Sequence, residues 1–188
     1  MTDVAREVLP DAGGVAARAA ALFAEAAAAA VAARGRFAVA LAGGSTPRAA
    51  YALLAGAAGR GVDWAHVHCW FGDERCVPPD DALSNYRMAR EALLAHVPVP
   101  DGQVLRMEGE REPGDAAARY DAPVFDLVLL GVGPDGHTAS LFPGGAALGE
   151  HERWAVAVPP PAAVAPHVPR VSLTPRALAS ARRVLVLA

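Results

Sequence analysis

The chain has 188 residues, of which 53% are hydrophobic and 20% are charged, and its formal net charge at pH 7 is -3. This length is typical of one domain, and the hydrophobic content excludes a disordered chain. The weakly negative charge offers no basic surface for nucleic acid, so we expect no nucleic-acid partner.

All 17 basic residues are arginines, and the sequence contains no lysine. Schiff-base chemistry, anchoring of pyridoxal phosphate and the phosphate-binding lysine of a Walker loop all require a lysine amine, so these mechanisms are excluded. An anion must instead be bound by arginines, by backbone N–H groups or by the N-terminus of a helix.

A cytoplasmic location is predicted. Cys69 and Cys76 do not form a CxxC pair and are interpreted as free thiols. The first residues lack a basic segment followed by an apolar core, so no signal peptide is expected. The most apolar stretch, residues 19–33, is mostly alanine and contains Glu25. We expect it to be too short and too weakly apolar to span a bilayer, and so expect no membrane contact.

The first predicted elements are a helix, a strand and a second helix. Asp11 can cap an alanine-rich helix that ends at Gly35. Residues 37–42 are a continuous apolar run, typical of a strand covered on both faces. Pro47 then suits the first position of a helix that extends to residue 55.

A second unit follows, with a strand at 67–71, a polar loop at 72–81 and a helix capped by Ser84 that extends to about residue 95. The later predicted elements are strands at 103–107, 125–130, 155–158, 168–173 and 184–187, a short helix at 115–120, and loops at 131–145 and 159–169.

Alternating strands and helices predict an α/β fold with a doubly wound, mostly parallel, Rossmann-like sheet. Ligands of such sheets bind beyond the carboxyl ends of the strands. Three predicted loops leave such ends and contain nearly all the unusual polar residues, so we expect the functional site there.

The first of these loops contains Gly43, Gly44, Ser45 and Thr46. Its two glycines allow close approach of a ligand, and its hydroxyls and N–H groups would face an anion at a helix N-terminus. A plain strand-to-helix turn is the alternative. The spacing does not match either nucleotide-binding motif, GxGxxG or GxxxxGK[ST].

The second loop places Asp73, Glu74 and Arg75 directly after an apolar strand. Arg75 is a candidate for bidentate phosphate binding, oriented by Asp73 or Glu74. The alternative is a solvated charged loop. Tyr86 and Met88, in the helix that follows, are interpreted as packing residues.

The third loop contains Asp135 and His137 between glycines. His137 can act as a general base, and it needs no metal to activate water if the electrophile is as reactive as a lactone. A structural loop histidine is the alternative. His66 and His68 would share a strand face, but no third ligand with zinc spacing accompanies them, so neither a metal site nor a cofactor is predicted.

Four motifs together resemble the 6-phosphogluconolactonase family, within the glucosamine/galactosamine-6-phosphate isomerase-like group. They are LAGGSTP at 41–47, FGDER at 71–75 with SNYRM at 84–88, DGHTASLFPG at 135–144, and RVSLT at 170–174. The resemblance covers most of the chain from Phe37 onward.

The resemblance implies hydrolysis of 6-phospho-D-glucono-1,5-lactone to 6-phosphogluconate, in the oxidative pentose phosphate pathway, with no cofactor. By similarity, His137 would deprotonate water, and Asp135 would position His137 or contact substrate hydroxyls. The residues implied to bind the phosphate and orient the ring are Gly43, Gly44, Ser45, Thr46, Arg75 and Arg170. From its sequence context alone, Arg170 is equally well interpreted as a surface arginine.

Two alternatives are a glucosamine-6-phosphate deaminase-like isomerase and a catalytically silent sugar-phosphate-binding protein. The deaminases carry a glutamate after the DGH segment, where residues 140–144 here contain no acid. The silent protein is disfavoured by the presence of His137. Family members also continue beyond the strand at 184–187 with a turn, a helix and a strand, so the resemblance implies a single domain, 1–188, that lacks this helix and strand.

Overall fold

The computed structural model describes residues 4–188, so the first three residues, on which the signal-peptide expectation partly rests, lie outside the described part. The elements in chain order are α1 (Ala12–Arg34), β1 (Phe37–Leu41), α2 (Ser45–Leu54), β2 (Val67–Phe71), β3 (Asp73–Arg75), α3 (Asn85–Ala89) with a π-helical turn (Arg90–Leu94), α4 (Pro113–Arg119), β4 (Leu127–Gly131), β5 (Ala155–Val158), β6 (Arg170–Leu173), α5 (Pro175–Ala179) and β7 (Val184–Leu187).

The main sheet is parallel and has the strand order β2-β1-β4-β7. Its inner strands are apolar on both faces, as the continuous apolar runs predicted. Alternate side chains enter two separate cores. One core receives Phe37, Val39, Leu41, Val67, Cys69, Phe71, Leu127 and Leu129, and the other receives Ala38, Ala40, Trp70, Val128 and Leu130.

Helices cover both faces of this sheet. Residues of α1, α2 and α3 pack in the first core, and residues of α4 and α5 pack in the second. The predicted α/β, doubly wound, mostly parallel architecture is therefore confirmed. Its consequence for function is that β1, β2 and β4 all end at the same edge, where the three polar loops begin.

A second, antiparallel sheet with the order β3-β6-β5 was not anticipated. Its first strand lies inside the segment predicted as a polar loop. Three consecutive charged residues, such as those at 73–75, do not suggest a strand. They form one here because β6 provides the backbone hydrogen-bonding partners. The sheet contributes Val171, Leu173 and Ala155 to the second core.

Three other local predictions need correction. Residues 103–107 do not form a strand, because they make only one bridge, between Val104 and Cys69. Helix α2 begins at Ser45, two residues before Pro47. His66 lies in a short 3-10 turn before β2 and contacts Asp63, so it does not share a strand face with His68.

Helix α1 has 23 residues and, by length and composition alone, is long and apolar enough to cross a membrane. The expectation that this stretch is too short and too weakly apolar was therefore wrong as stated. The helix nevertheless packs in the domain: Phe23 is fully buried against Phe37 and Trp64. One face of α1 thus serves as a wall of the core, which is how helices of soluble domains commonly satisfy the same criterion.

Two buried tyrosines hold the carboxyl ends of neighbouring strands. The hydroxyl of Tyr51 accepts a hydrogen bond from the N–H of Ala42 (2.9 Å) and donates one to the carbonyl of the same residue (3.0 Å). Tyr120 does the same at Phe71, at 2.7 and 3.1 Å. Each hydroxyl therefore satisfies the backbone at the point where a strand gives way to a polar loop.

We predict that Tyr51→Phe lowers the free energy of unfolding by about 1–3 kcal/mol, because it leaves both backbone groups of Ala42 buried without a partner. Tyr86→Phe is the matched control, since the hydroxyl of Tyr86 makes no hydrogen bond within residues 4–188, and it should stay within about 0.5 kcal/mol of the wild type. Urea denaturation measures both. Equal effects of the two substitutions would show that the hydroxyl of Tyr51 does not stabilise this strand end.

Candidate functional site

The three polar loops converge at the carboxyl edge of the parallel sheet. A Cβ atom on Gly43 would lie 2.1 Å from Oδ1 of Asn85, so the first loop touches the helix that follows the second. A Cβ atom on Gly131 would lie 3.8 Å from the carbonyl oxygen of Gly43, so the first and third loops are adjacent. Only glycine allows the first of these approaches.

Asp73 joins these loops through its buried carboxylate. The side-chain amide of Asn85 donates to the backbone oxygen of Asp73 (2.9 Å) and to its Oδ1 (3.1 Å). The hydroxyl of Ser140, in the third loop, donates to Oδ2 of Asp73 (2.6 Å). The N–H of Ser140 in turn donates to Oγ of Ser172 on β6 (3.2 Å). One polar network therefore fixes the relative positions of three of the four motifs, those at 71–75 with 84–88, at 135–144 and at 170–174.

Glu74 mainly accepts hydrogen bonds from backbone N–H groups and does not contact the guanidinium of Arg75. Its carboxylate accepts hydrogen bonds from three backbone N–H groups, those of Arg75, Asn85 and Tyr86, and from the hydroxyl of Ser84. Burial raises the pKa of Glu74, and these four donors oppose the rise. The expectation that Asp73 or Glu74 orients the side chain of Arg75 is therefore wrong.

Arg75 and Arg170 face each other across the antiparallel pair β3–β6. Nη1 of Arg75 donates to the carbonyl of Leu83 (2.6 Å), and Nη2 of Arg170 donates to that of Pro166 (3.1 Å). Within the described residues, the Nε atoms of both arginines are buried and have no hydrogen-bond partner. Like charges directly opposite each other are destabilising, so an anion bound between them would be stabilised.

The electrostatics of Arg170 agree with that arrangement. The residue is only 2% exposed, so it is not the surface arginine that its sequence context allowed. Burial, and then the charge of Arg75, lower its pKa, while Asp73 opposes the shift. A dianion between the two guanidinium groups would supply the missing negative charge.

His137 and Asp135 form a hydrogen-bonded pair in the third loop. Nδ1 of His137 lies 2.5 Å from Oδ1 of Asp135, and the N–H of His137 donates to the same oxygen (3.2 Å). The bond from His137 lowers the pKa of Asp135, which keeps it a carboxylate. With Nδ1 engaged, Nε2 is the ring atom available to take a proton from water.

The first loop begins α2 without a side-chain cap. Gly44 occupies the N-cap position with φ 101°, a conformation that favours glycine, and Ser45 and Thr46 open the helix. Their two N–H groups belong to the first turn, where the helix itself supplies no acceptor, and Pro47 contributes none. The loop therefore offers N–H donors at a helix N-terminus, and anion binding there stays a prediction.

A cavity of about 600 Å³ adjoins the third loop. Its lining includes Asp135, Ser140 and Phe142 of the third loop and the segment 156–164. Among residues 4–188, no group of three or more His, Cys, Asp or Glu side chains is placed to hold a metal ion. Cys69 and Cys76 are free, as predicted.

Sequence reasoning missed Asn85, Ser140 and Phe142. The first two are short polar residues in motifs already singled out, and their burial is what gives them their role. Phe142 contacts the ring of His137 and the guanidinium of Arg170. An aromatic residue shortly after a loop histidine was the available signal, but the sequence could not show that it touches two separate motifs.

The fold and the site define an open α/β protein with two facing arginines and a His–Asp pair near the carboxyl edge of its parallel strands. A family model described as glucosamine-6-phosphate isomerases/6-phosphogluconolactonase matches residues 10–188. The chain belongs to this family.

Individual relatives carry one of the two names in that description. A 6-phosphogluconolactonase of Treponema pallidum is 41% identical over 125 residues, which are 60% of this chain and 52% of the relative. One from Mycobacterium leprae is 39% identical over 182 residues, covering 84% of this chain and 70% of the relative. The crystal structure of a 6-phosphogluconolactonase from Thermotoga maritima superposes with a TM-score of 0.85 at 31% identity, covering 96% of this chain and 81% of the other. The chain spans about half the length of several curated relatives that it matches.

We predict that Glu74→Gln lowers the free energy of unfolding by about 1–3 kcal/mol. One carboxylate oxygen becomes an NH₂ group that faces two donors, and relief of a buried charge offsets only part of this loss. Glu152→Gln, at an exposed position outside the network, is the control and should change stability by less than about 0.5 kcal/mol. Chemical denaturation distinguishes the two variants. If Glu74→Gln left the free energy of unfolding unchanged, the four donors would not need a carboxylate.

Proposed function

We propose that the chain hydrolyses 6-phospho-D-glucono-1,5-lactone to 6-phosphogluconate, the second step of the oxidative pentose phosphate pathway. The observation that carries the proposal is the contact of Phe142 with both His137 and Arg170, which brings the candidate base close to a candidate phosphate-binding arginine. The names of the relatives support the choice of a phosphorylated lactone over other sugar phosphates.

The phosphate would lie between Arg75 and Arg170. Each guanidinium has a buried Nε without a partner in the described part of the chain, and a phosphate dianion supplies oxygens to both. The N–H groups of Ser45 and Thr46, at the start of α2, would donate from the adjacent first loop, with Gly43 and Gly44 allowing close approach. The absence of lysine leaves these arginines and amides as the donors.

Hydrolysis would begin with water held by Nε2 of His137. As the water oxygen attacks the C1 carbonyl, Nε2 takes one of its protons, and the carbonyl electrons move onto oxygen. When the tetrahedral species collapses, the C1–O5 bond breaks and the ring oxygen takes the proton back from the imidazolium. The acid formed at C1 then ionises. Asp135 holds His137 in the tautomer that leaves Nε2 free and stabilises the transient imidazolium.

Two alternatives are less well supported. An isomerising deaminase would need an acid in the segment 140–144, and this segment contains none. A silent binding protein would not need the His137–Asp135 pair.

We also propose a cytoplasmic location, which the free thiols of Cys69 and Cys76 fit.

The test is a coupled assay of freshly generated lactone, read against spontaneous hydrolysis. We expect His137→Asn to lower kcat by about 10²–10⁴-fold with little change in KM, since the general base is lost while the phosphate site is kept. His96→Asn, at an exposed position at the end of a helix, is the matched control and should behave as the wild type. Wild-type turnover by the His137 variant would exclude this residue as the base.

We expect Arg75→Ala to act mainly through the phosphate. It should raise KM for the phosphorylated lactone by about tenfold to a hundredfold, because a charge-assisted contact is lost, and should raise it much less for unphosphorylated gluconolactone. Arg119→Ala, at the exposed end of α4, is the control. Equal effects of Arg75→Ala on the two substrates would assign Arg75 to the scaffold instead.

A further inference from the structure

We propose that Phe142 is a positioning residue that couples the base to the anion site, by holding the imidazole of His137 and the guanidinium of Arg170 against one aromatic ring. The inference rests on the proposed function, because it concerns how the two halves of that site are kept in register.

The imidazole of His137 is held on three sides. Its ring centre lies 4.7 Å from that of Phe142, in a tilted arrangement. A Cβ atom on Gly133 would lie 2.1 Å from Cε1 and 2.2 Å from Nδ1 of His137, so the ring lies directly over the glycine backbone. Asp135 holds Nδ1. The contacts of Gly133 and Phe142 therefore restrict the ring plane, while Asp135 restricts its rotation.

The same aromatic ring contacts the cation of the anion site. Cζ of Arg170 lies 5.4 Å from the ring centre of Phe142, within the range of a cation–π interaction. The backbone of Arg170 is fixed in β6, but its guanidinium makes only one hydrogen bond within the described residues, to the carbonyl of Pro166. Phe142 is therefore a principal constraint on where that charge lies.

These two contacts have a joint consequence for substrate selection. His137 and Arg170 can be no farther apart than the sum of their distances to the ring centre of Phe142. A substrate must then carry its anionic group and its reactive carbonyl at a matching separation. The ring of Phe142 thereby limits this separation without touching the reacting atoms.

The experiment compares Phe142→Leu with Phe142→Tyr, which keeps the ring. Phe142→Leu should lower kcat about tenfold to a hundredfold on both the phosphorylated and the unphosphorylated lactone, because the base is misplaced. It should also raise KM by about two- to thirtyfold, but for the phosphorylated lactone only, because the contact with Arg170 is lost. Phe142→Tyr should restore both values. Trp154→Leu removes an equivalent aromatic contact, with Arg176, outside the site and should leave kcat and KM unchanged.

A double-mutant cycle identifies the route of the KM effect. In an Arg170→Gln background, Phe142→Leu should no longer raise KM for the phosphorylated lactone. An undiminished KM effect in that background, or unchanged kcat in the single variant, overturns the proposal. Phe142→Met replaces the leucine variant if the latter does not fold.

The lactonase proposal and the positioning role of Phe142 can be refuted separately. If the wild-type protein does not hydrolyse the lactone above background, the lactonase assignment falls. The coupling is then decided by calorimetric titration with inorganic phosphate, where Phe142→Leu should weaken binding two- to thirtyfold. Equal affinity in wild type and variant would refute the positioning role on its own.

Discussion

The site depends on one buried carboxylate, that of Asp73. It accepts hydrogen bonds from Asn85, in the helix after the second loop, and from Ser140, in the third loop. The backbone hydrogen bonds of the third loop are mostly local, so the contact of Ser140 with Asp73 is one of the few that attach this loop to the second. Any other placement of the loops would remove a hydrogen-bond donor from this buried carboxylate, and leaving it unsatisfied costs free energy. The carboxylate therefore specifies one relative placement of the loops.

A second feature of the site, the pairing of two arginines, is destabilising. Arg75 and Arg170 are paired as like charges, and each keeps a buried Nε without a partner in the described residues. Features of this kind are commonly found where a protein binds a ligand rather than where it only needs to be stable. Favourable hydrogen bonds lie close by, at Glu74, which accepts from four donors, and at the tyrosines at the ends of β1 and β2.

Much of the fold and part of the site could be predicted from the sequence, for physical reasons. The apolar runs at β1, β2 and β4 and the cap at Asp11 are local signals, and they were interpreted correctly. Strand β3 was missed because its pairing depends on β6, almost 100 residues away. The partners of Asp73 and Glu74 were missed for the same reason: charge suggests solvent, and only tertiary structure shows which donors surround a buried carboxylate.

The coupling through Asp73 is tested most directly by a double-mutant cycle of Asp73→Ala and Ser140→Ala, measured by the free energy of unfolding and by kcat/KM for the phosphorylated lactone. If the carboxylate joins the second and third loops, the two changes are strongly non-additive, with a coupling energy of about 1–3 kcal/mol in stability. The double variant should then be hardly less active than the worse single variant. Additivity within about 0.5 kcal/mol, in stability and in transition-state free energy, would show that the loops are positioned independently of Asp73.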